Sequence, residues 1–231
     1  MPFFQLTEED ISFPPAYFAD SEGLIAVGGD MKPERIIKAY QNGIYFWFGP
    51  MDPIKWWSPD PRLILDIGSK ISNKPACQKT FCIYPLTNIE CTLEKLQKQE
   101  NLGSMSPQWI TEELKSVYSN LNSSGHASAL ELKENNELYS QILGIRIGSV
   151  FFAEYVLVNP ELDSSECTDQ SLRVLSSYLA LYDYTLLDIQ KESIRISDIG
   201  IQEISRLEYL DKLNRALSKS AIPFSNKTII I

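Results

Sequence analysis

Apolar positions recur at helical spacing in several stretches of the chain. Ile36, Ile37 and Tyr40 line one face of a helix that opens on Pro33 with Glu34 behind it and stops at Gly43. Leu114, Val117, Tyr118 and Leu121 make a second stripe, with Thr111 placed to cap it and Gly125 to end it. Leu172, Leu175, Leu179 and Tyr182 make a third over 168–182, and a last helix falls near 206–218. Between these, the pattern reads as strands at 127–132, 138–147 and 149–157, the last two joined by a tight turn at Gly148. A short apolar run, Tyr184-Thr185-Leu186-Leu187-Asp188-Ile189-Gln190, reads as a buried strand. Strands followed by helix, strand and helix predict an α/β chain of the α+β kind, a mixed sheet flanked by helices. Residues 1–62 differ, being rich in Pro, Gly and aromatics and reading as loops around the first helix. The boundary is set there: a small N-terminal domain, 1–62, and a larger one, 63–231.

Composition narrows the function. The 231 residues are 44% hydrophobic and 22% charged, ordinary for a globular protein. No stretch approaches the 18 or so apolar residues that span a bilayer, and Met1–Asp10 lacks the basic and apolar regions of a signal peptide. A cytoplasmic protein without membrane partners is expected. Cys77, Cys82, Cys91 and Cys167 have no C-x-x-C spacing, and one histidine, His126, serves the whole chain. No metal site and no Ser-His-Asp or Cys-His catalysis is therefore expected, and His126 reads as a surface or turn residue. The net charge of −9 opposes broad phosphate binding, although Lys70, Lys74 and Lys79 form a modest basic cluster.

Three groups of residues point to chemistry. In the strand at 184–190, a period of two puts Asp188 and Gln190 on one face and Leu187 and Ile189 on the other. An aspartate in an apolar strand needs a partner, or else shifts its titration toward the range where a carboxyl exchanges a proton. The plainer reading is that it bonds a helix terminus or turn. Glu154, within Val150–Val156, repeats the situation, and two acids plus an amide on separate strands suit a pocket for a substrate amine. The third group is aromatic. Trp56 and Trp57 read as core, whereas Trp47 and Trp109 flank Pro and Gly segments where a ring can instead stack on a nucleobase or cover a pocket.

The order of motifs resembles a known family. Gly23-Leu24-Ile25-Ala26-Val27-Gly28-Gly29-Asp30, Ala39-Tyr40-Gln41-Asn42-Gly43-Ile44, Trp47-Phe48 and Trp56-Trp57-Ser58-Pro59-Asp60-Pro61-Arg62 are similar to the N-terminal signature of leucyl/phenylalanyl-tRNA–protein transferases. The resemblance continues through Trp109-Ile110-Thr111, Phe151–Glu154, Leu187–Gln190 and Ile199-Gly200 to Glu203-Ile204. It implies an acyltransferase fold related to the Gcn5-related N-acetyltransferases in the second domain. The implied reaction moves an amino acid from aminoacyl-tRNA to the N-terminal α-amine of proteins, typically those starting with Arg or Lys, marking them for degradation. No cofactor is implied, since the tRNA ester is already activated. Asp188, Gln190 and Glu154 carry over as the catalytic residues, with Asp188 and Gln190 orienting the amine and helping to remove its proton. Trp47 and Trp109 carry over as the holders of the terminal adenosine.

The sequence departs from the family where the amino-acid side chain is read. The usual Gly-Glu-Ser-Met-Phe-Ser is Ala153-Glu154-Tyr155-Val156-Leu157-Val158. Ala153, Val156 and Ile142 are expected at the side-chain pocket, and the changes suggest an altered donor. Two other readings remain: an acetyl-CoA-dependent N-acetyltransferase and a non-catalytic module that binds tRNA or protein N-termini. The first lacks a pyrophosphate cradle, because Gln141–Arg146 has no final small residue and falls in a strand.

Overall fold

The structure, a computed structural model, describes residues 3–49, 51–67, 79–103, 110–190 and 200–230. Trp109, Lys70, Lys74, Cys77 and Ile199 lie outside the described residues.

Two sheets organise the chain. The small one has the order β1-β2-β4-β3, from β1 (Phe4–Leu6), β2 (Leu24–Gly28), β3 (Tyr45–Phe46) and β4 (Lys55–Trp57). The large one contains β5 (Arg62–Asp66), β6 (Thr80–Leu86), β7 (Ala127–Glu134), β8 (Glu137–Ile147), β9 (Val150–Val158), β10 (Leu186–Gln190), β11 (Gln202–Ile204) and β12 (Lys227–Ile230). Its order is β11-β5-β10-β9-β8-β7-β6-β12. Every neighbouring pair in it is antiparallel except β9 and β10, which the helix α4 (Ser164–Ala180) connects as a parallel crossover. The mixed sheet and its flanking helices match the expected α/β class.

Three of the other helices form where the sequence predicts. α1 (Pro33–Gln41) buries Ile36, Ala39 and Tyr40, and α3 (Glu112–Ser123) buries Leu114, Val117, Tyr118 and Leu121. Thr111 caps α3, its hydroxyl accepting from the Leu114 N–H at 3.2 Å. α5 (Arg206–Leu217) is capped likewise by Ser205 and buries Tyr209, Leu213 and Ala216. α2 (Glu90–Gly103) has no counterpart in the pattern reading and contributes Leu93 and Leu96 to the core. No helix among the described residues is long and apolar enough to cross a membrane.

The segments around α1 that read as loops include the strands of the small sheet. Trp56 and Trp57 lie in β4, where Trp56 is fully buried and donates to the Gly28 carbonyl at 2.9 Å. Strands of two to five residues carry too few positions to reveal a period of two. The small sheet packs with α1, α2, α3 and α5 over one face of the large sheet, and one continuous apolar core runs from Ile25 and Trp56 through Phe152 to Tyr209. The opposite face is covered by α4, through Leu172, Leu175 and Leu179.

Candidate active site

β9 and β10 stay paired only as far as Asp188 opposite Phe152. Just beyond that point each strand carries a register shift toward its other neighbour. On β10 the shift lies between Asp188 and Gln190, which face Ile64 and Leu63 of β5. On β9, Tyr155 faces Leu143 and Ala153 faces Gly144, leaving Glu154 as the extra residue. Such bulges bend a strand and re-aim its side chains. Gly144 permits the β9 bulge, because a Cβ there would collide with the Phe151 ring and the Phe152 carbonyl. Asp188 and Gln190 share one face, as the period of two predicts, but the bulge puts Gln190 at φ +67°, a left-handed conformation unusual outside glycine.

Glu154 is partly buried and holds three hydrogen bonds. The Tyr40 hydroxyl donates to its Oε1 at 2.9 Å, the Gln190 Nε2 to the same oxygen at 2.6 Å, and the Tyr118 hydroxyl to Oε2 at 3.1 Å. These donors come from α1, β10 and α3. Burial pushes the carboxyl up to about 7; the Tyr40, Tyr118 and Gln190 bonds oppose the rise and the Asp188 charge adds to it. Burial, reinforced by the Glu154 charge, likewise raises both tyrosines well above their ordinary range, so they remain neutral donors.

Asp188 is a different kind of acid. It has no solvent exposure and forms a two-point pair with Arg62, Nε to Oδ1 at 2.9 Å and Nη2 to Oδ2 at 2.7 Å. The Tyr209 hydroxyl donates to Oδ2 at 2.5 Å and the Gln190 backbone N–H to Oδ1 at 2.8 Å. The Arg62 guanidinium also lies over the rings of Tyr45 and Tyr209, at 4.8 and 4.6 Å.

The structure thus brings Glu154, Gln190 and Asp188 together on the face toward α1, α3 and α5. Trp47 lies beyond them at the edge of the small sheet, 53% exposed, its carbonyl held by the Trp57 indole at 2.7 Å. Ala153, Val156 and Ile142 fall on the other side of the sheet. Ala153 and Val156 pack partly buried against the α4 core, and Ile142, opposite Val156, is fully buried in it. Ordinary alternation puts Ala153 across the sheet from Glu154, and the bulge carries Val156 there as well, because the extra residue shifts the period of two after Glu154. The Gln141–Arg146 segment lies inside β8, as expected. Of the partners of the two acids, sequence singled out Gln190 alone. Tyr40 and Tyr118 register only as members of apolar helical stripes and Arg62 only as the end of a motif. A phenol within such a stripe is the available signal, since its oxygen must find a partner once buried.

Two acids are thus held at a split between strands, one locked and one partly open. Comparison with known proteins gives the class of protein. The model of leucyl/phenylalanyl-tRNA protein transferases matches residues 74–214, and that of the family's N-terminal domain matches residues 29–60. A leucyl/phenylalanyl-tRNA–protein transferase of Desulforapulum autotrophicum is 32% identical over 225 residues, 96% of either chain. One from Hydrogenovibrio crunogenus is 34% identical over 219 residues, 91% of this chain and 82% of its own. Among solved structures, a GCN5-related N-acetyltransferase from Kribbella flavida matches at a TM-score of 0.36 and 11% identity, over 78% of this chain and 63% of that one. The chain belongs to the leucyl/phenylalanyl-tRNA–protein transferase family and is an aminoacyltransferase.

Proposed function

We propose that the chain transfers an amino acid from aminoacyl-tRNA to the N-terminal α-amine of a protein, with Glu154 and Gln190 at the reacting centre. The observation that carries this reading is the 2.6 Å bond from the Gln190 amide to Glu154, at the point where β9 and β10 part. Glu154 is partly accessible and, among the described residues, its Oε2 accepts one bond, from Tyr118, which leaves an acceptor position for an incoming amine. The amine nitrogen attacks the ester carbonyl carbon, the bond to the ribose oxygen breaks, and an amide forms. Glu154 takes the proton the amine sheds, and the departing ribose hydroxyl is reprotonated. Asp188, without exposure and with four donors already on its carboxylate, holds Gln190 rather than meeting the substrate. Trp47 offers an exposed ring to the terminal adenosine, a contact on the order of 1–3 kcal/mol.

The acceptors in this reading are proteins beginning with Arg or Lys, the product marks them for degradation, and the enzyme works in the cytoplasm, where charged tRNA is made. The test is incubation with an Arg-starting peptide and total aminoacylated tRNA, followed by mass analysis. A peptide heavier by one amino-acid residue is the expected result. Addition of an acetyl group from acetyl-CoA, or no added mass, refutes the reading.

A further inference from the structure

An ionised carboxylate offers roughly four acceptor positions, and on Asp188 the donors fill them all. Arg62 takes one on each oxygen, Tyr209 a second on Oδ2, and the Gln190 N–H a second on Oδ1. The Gln190 bond ties the carboxylate to the residue that ends the bulge, whose φ of +67° persists only if the surroundings over-determine it. Tyr209 is the one of these donors that comes from a helix, α5, and it lies on the same oxygen as Arg62 Nη2. The helix itself is seated against Gly43, just after α1. Gly43 has φ +72°, and a Cβ there would stand 2.7 Å from Leu210 Cδ2 and 2.9 Å from Tyr209 Cε1. α1 in turn supplies Tyr40 to Glu154. Both acids are therefore set by the same pair of packed helices.

We propose that Tyr209 is a positioning residue for the transfer reaction: its hydroxyl fixes the Asp188 carboxylate, which holds Gln190 in its left-handed conformation with the side-chain amide on Glu154. This rests on the transfer reading above. Tyr209 touches no reacting atom, so its contribution passes entirely through Asp188 and Gln190.

Tyr209→Phe keeps the ring and removes one donor. With an Arg-starting peptide and aminoacyl-tRNA, kcat should fall about tenfold or more, as expected for losing a hydrogen bond to a buried charge, while KM for either substrate stays put. In the Gln190→Ala background the same substitution should cause no further loss, because the residue it positions is gone. Hydrogen exchange at the Gln190 amide should quicken about tenfold in Tyr209→Phe, reporting a loosened bond to Asp188 without reference to activity. An equal loss of kcat in both backgrounds overturns the proposal, as do an unchanged kcat, an unchanged Gln190 amide, or a variant that no longer folds. If the unmodified protein transfers nothing, the transfer reading is what fails, and amide exchange alone decides whether Tyr209 clamps Gln190.

Discussion

Replacing Arg62 with methionine isolates the worth of the buried ion pair. Arg62 and Asp188 are 1% and 0% exposed, and the guanidinium supplies two of the four donors on the carboxylate. In Arg62→Met the carboxylate stays in place with only the Tyr209 hydroxyl and the Gln190 N–H against its charge. Breaking a buried pair from one side costs about 3–5 kcal/mol, since the orphaned charge can reach no water. That is a large share of a total stability of about 5–15 kcal/mol, and for a chain of this length it lowers Tm by about 6–20 °C. Loss of the cation's contacts with the Tyr45 and Tyr209 rings acts in the same direction. Urea unfolding followed by tryptophan fluorescence measures the effect, with an unchanged slope against urea certifying that the same transition is compared. The double variant Arg62→Met/Asp188→Leu removes both charges and should recover most of the loss. A single-variant loss below about 1 kcal/mol, the size of an exposed pair, refutes the reasoning, as does a double variant no more stable than the single one.

Four further outcomes are expected. Glu154→Gln and Gln190→Ala should each slow transfer by about 10²–10⁴-fold with the fold intact; near-normal turnover in either removes it from the reacting centre. Because burial raises the Glu154 carboxyl from 4.5 to about 7, transfer should rise with pH through about 7 and the rise should vanish in Glu154→Gln. The same shift gives the folded state the extra proton between those values, so native stability should fall as pH climbs from about 4.5 to 7; a midpoint of unfolding that improves over that climb contradicts it. Since Ala153, Val156 and Ile142 face α4 rather than Glu154, their departures should leave the donor preference unchanged: with individually charged tRNAs and one peptide, Leu and Phe should outperform other amino acids, and a preferred donor outside that pair contradicts the reasoning.

α1, α3 and α4 are plain in the sequence because each buries an apolar stripe at helical spacing, whereas α2 has no stripe in the pattern reading, and β10 is plain because five apolar or paired positions run together. The sequence also put Asp188 and Gln190 on one face, and the structure agrees. It concealed what determines the site's shape. A bulge depends on the register between strands distant in the chain, so nothing local at Glu154 or Ile189 announces it. For that reason Val156, two residues on from Glu154, faces α4 beside Ala153 while Glu154 faces α1. Tyr40 and Tyr118 belong to apolar stripes by their rings, and only the folded arrangement shows that their oxygens converge on one carboxylate. The small sheet escaped notice because its strands are too short to declare a period.

The convergence on Glu154 also bears on how the protein becomes active as it folds. Its three donors stand 114, 36 and 36 residues away along the chain, and the partner of Asp188 at Arg62 stands 126 away. No hairpin or helix–turn–helix can assemble such a centre in advance, because these four contacts each close a long loop whose entropy must be met first. Glu154 and Gln190 meet only once β10 has docked beside β9.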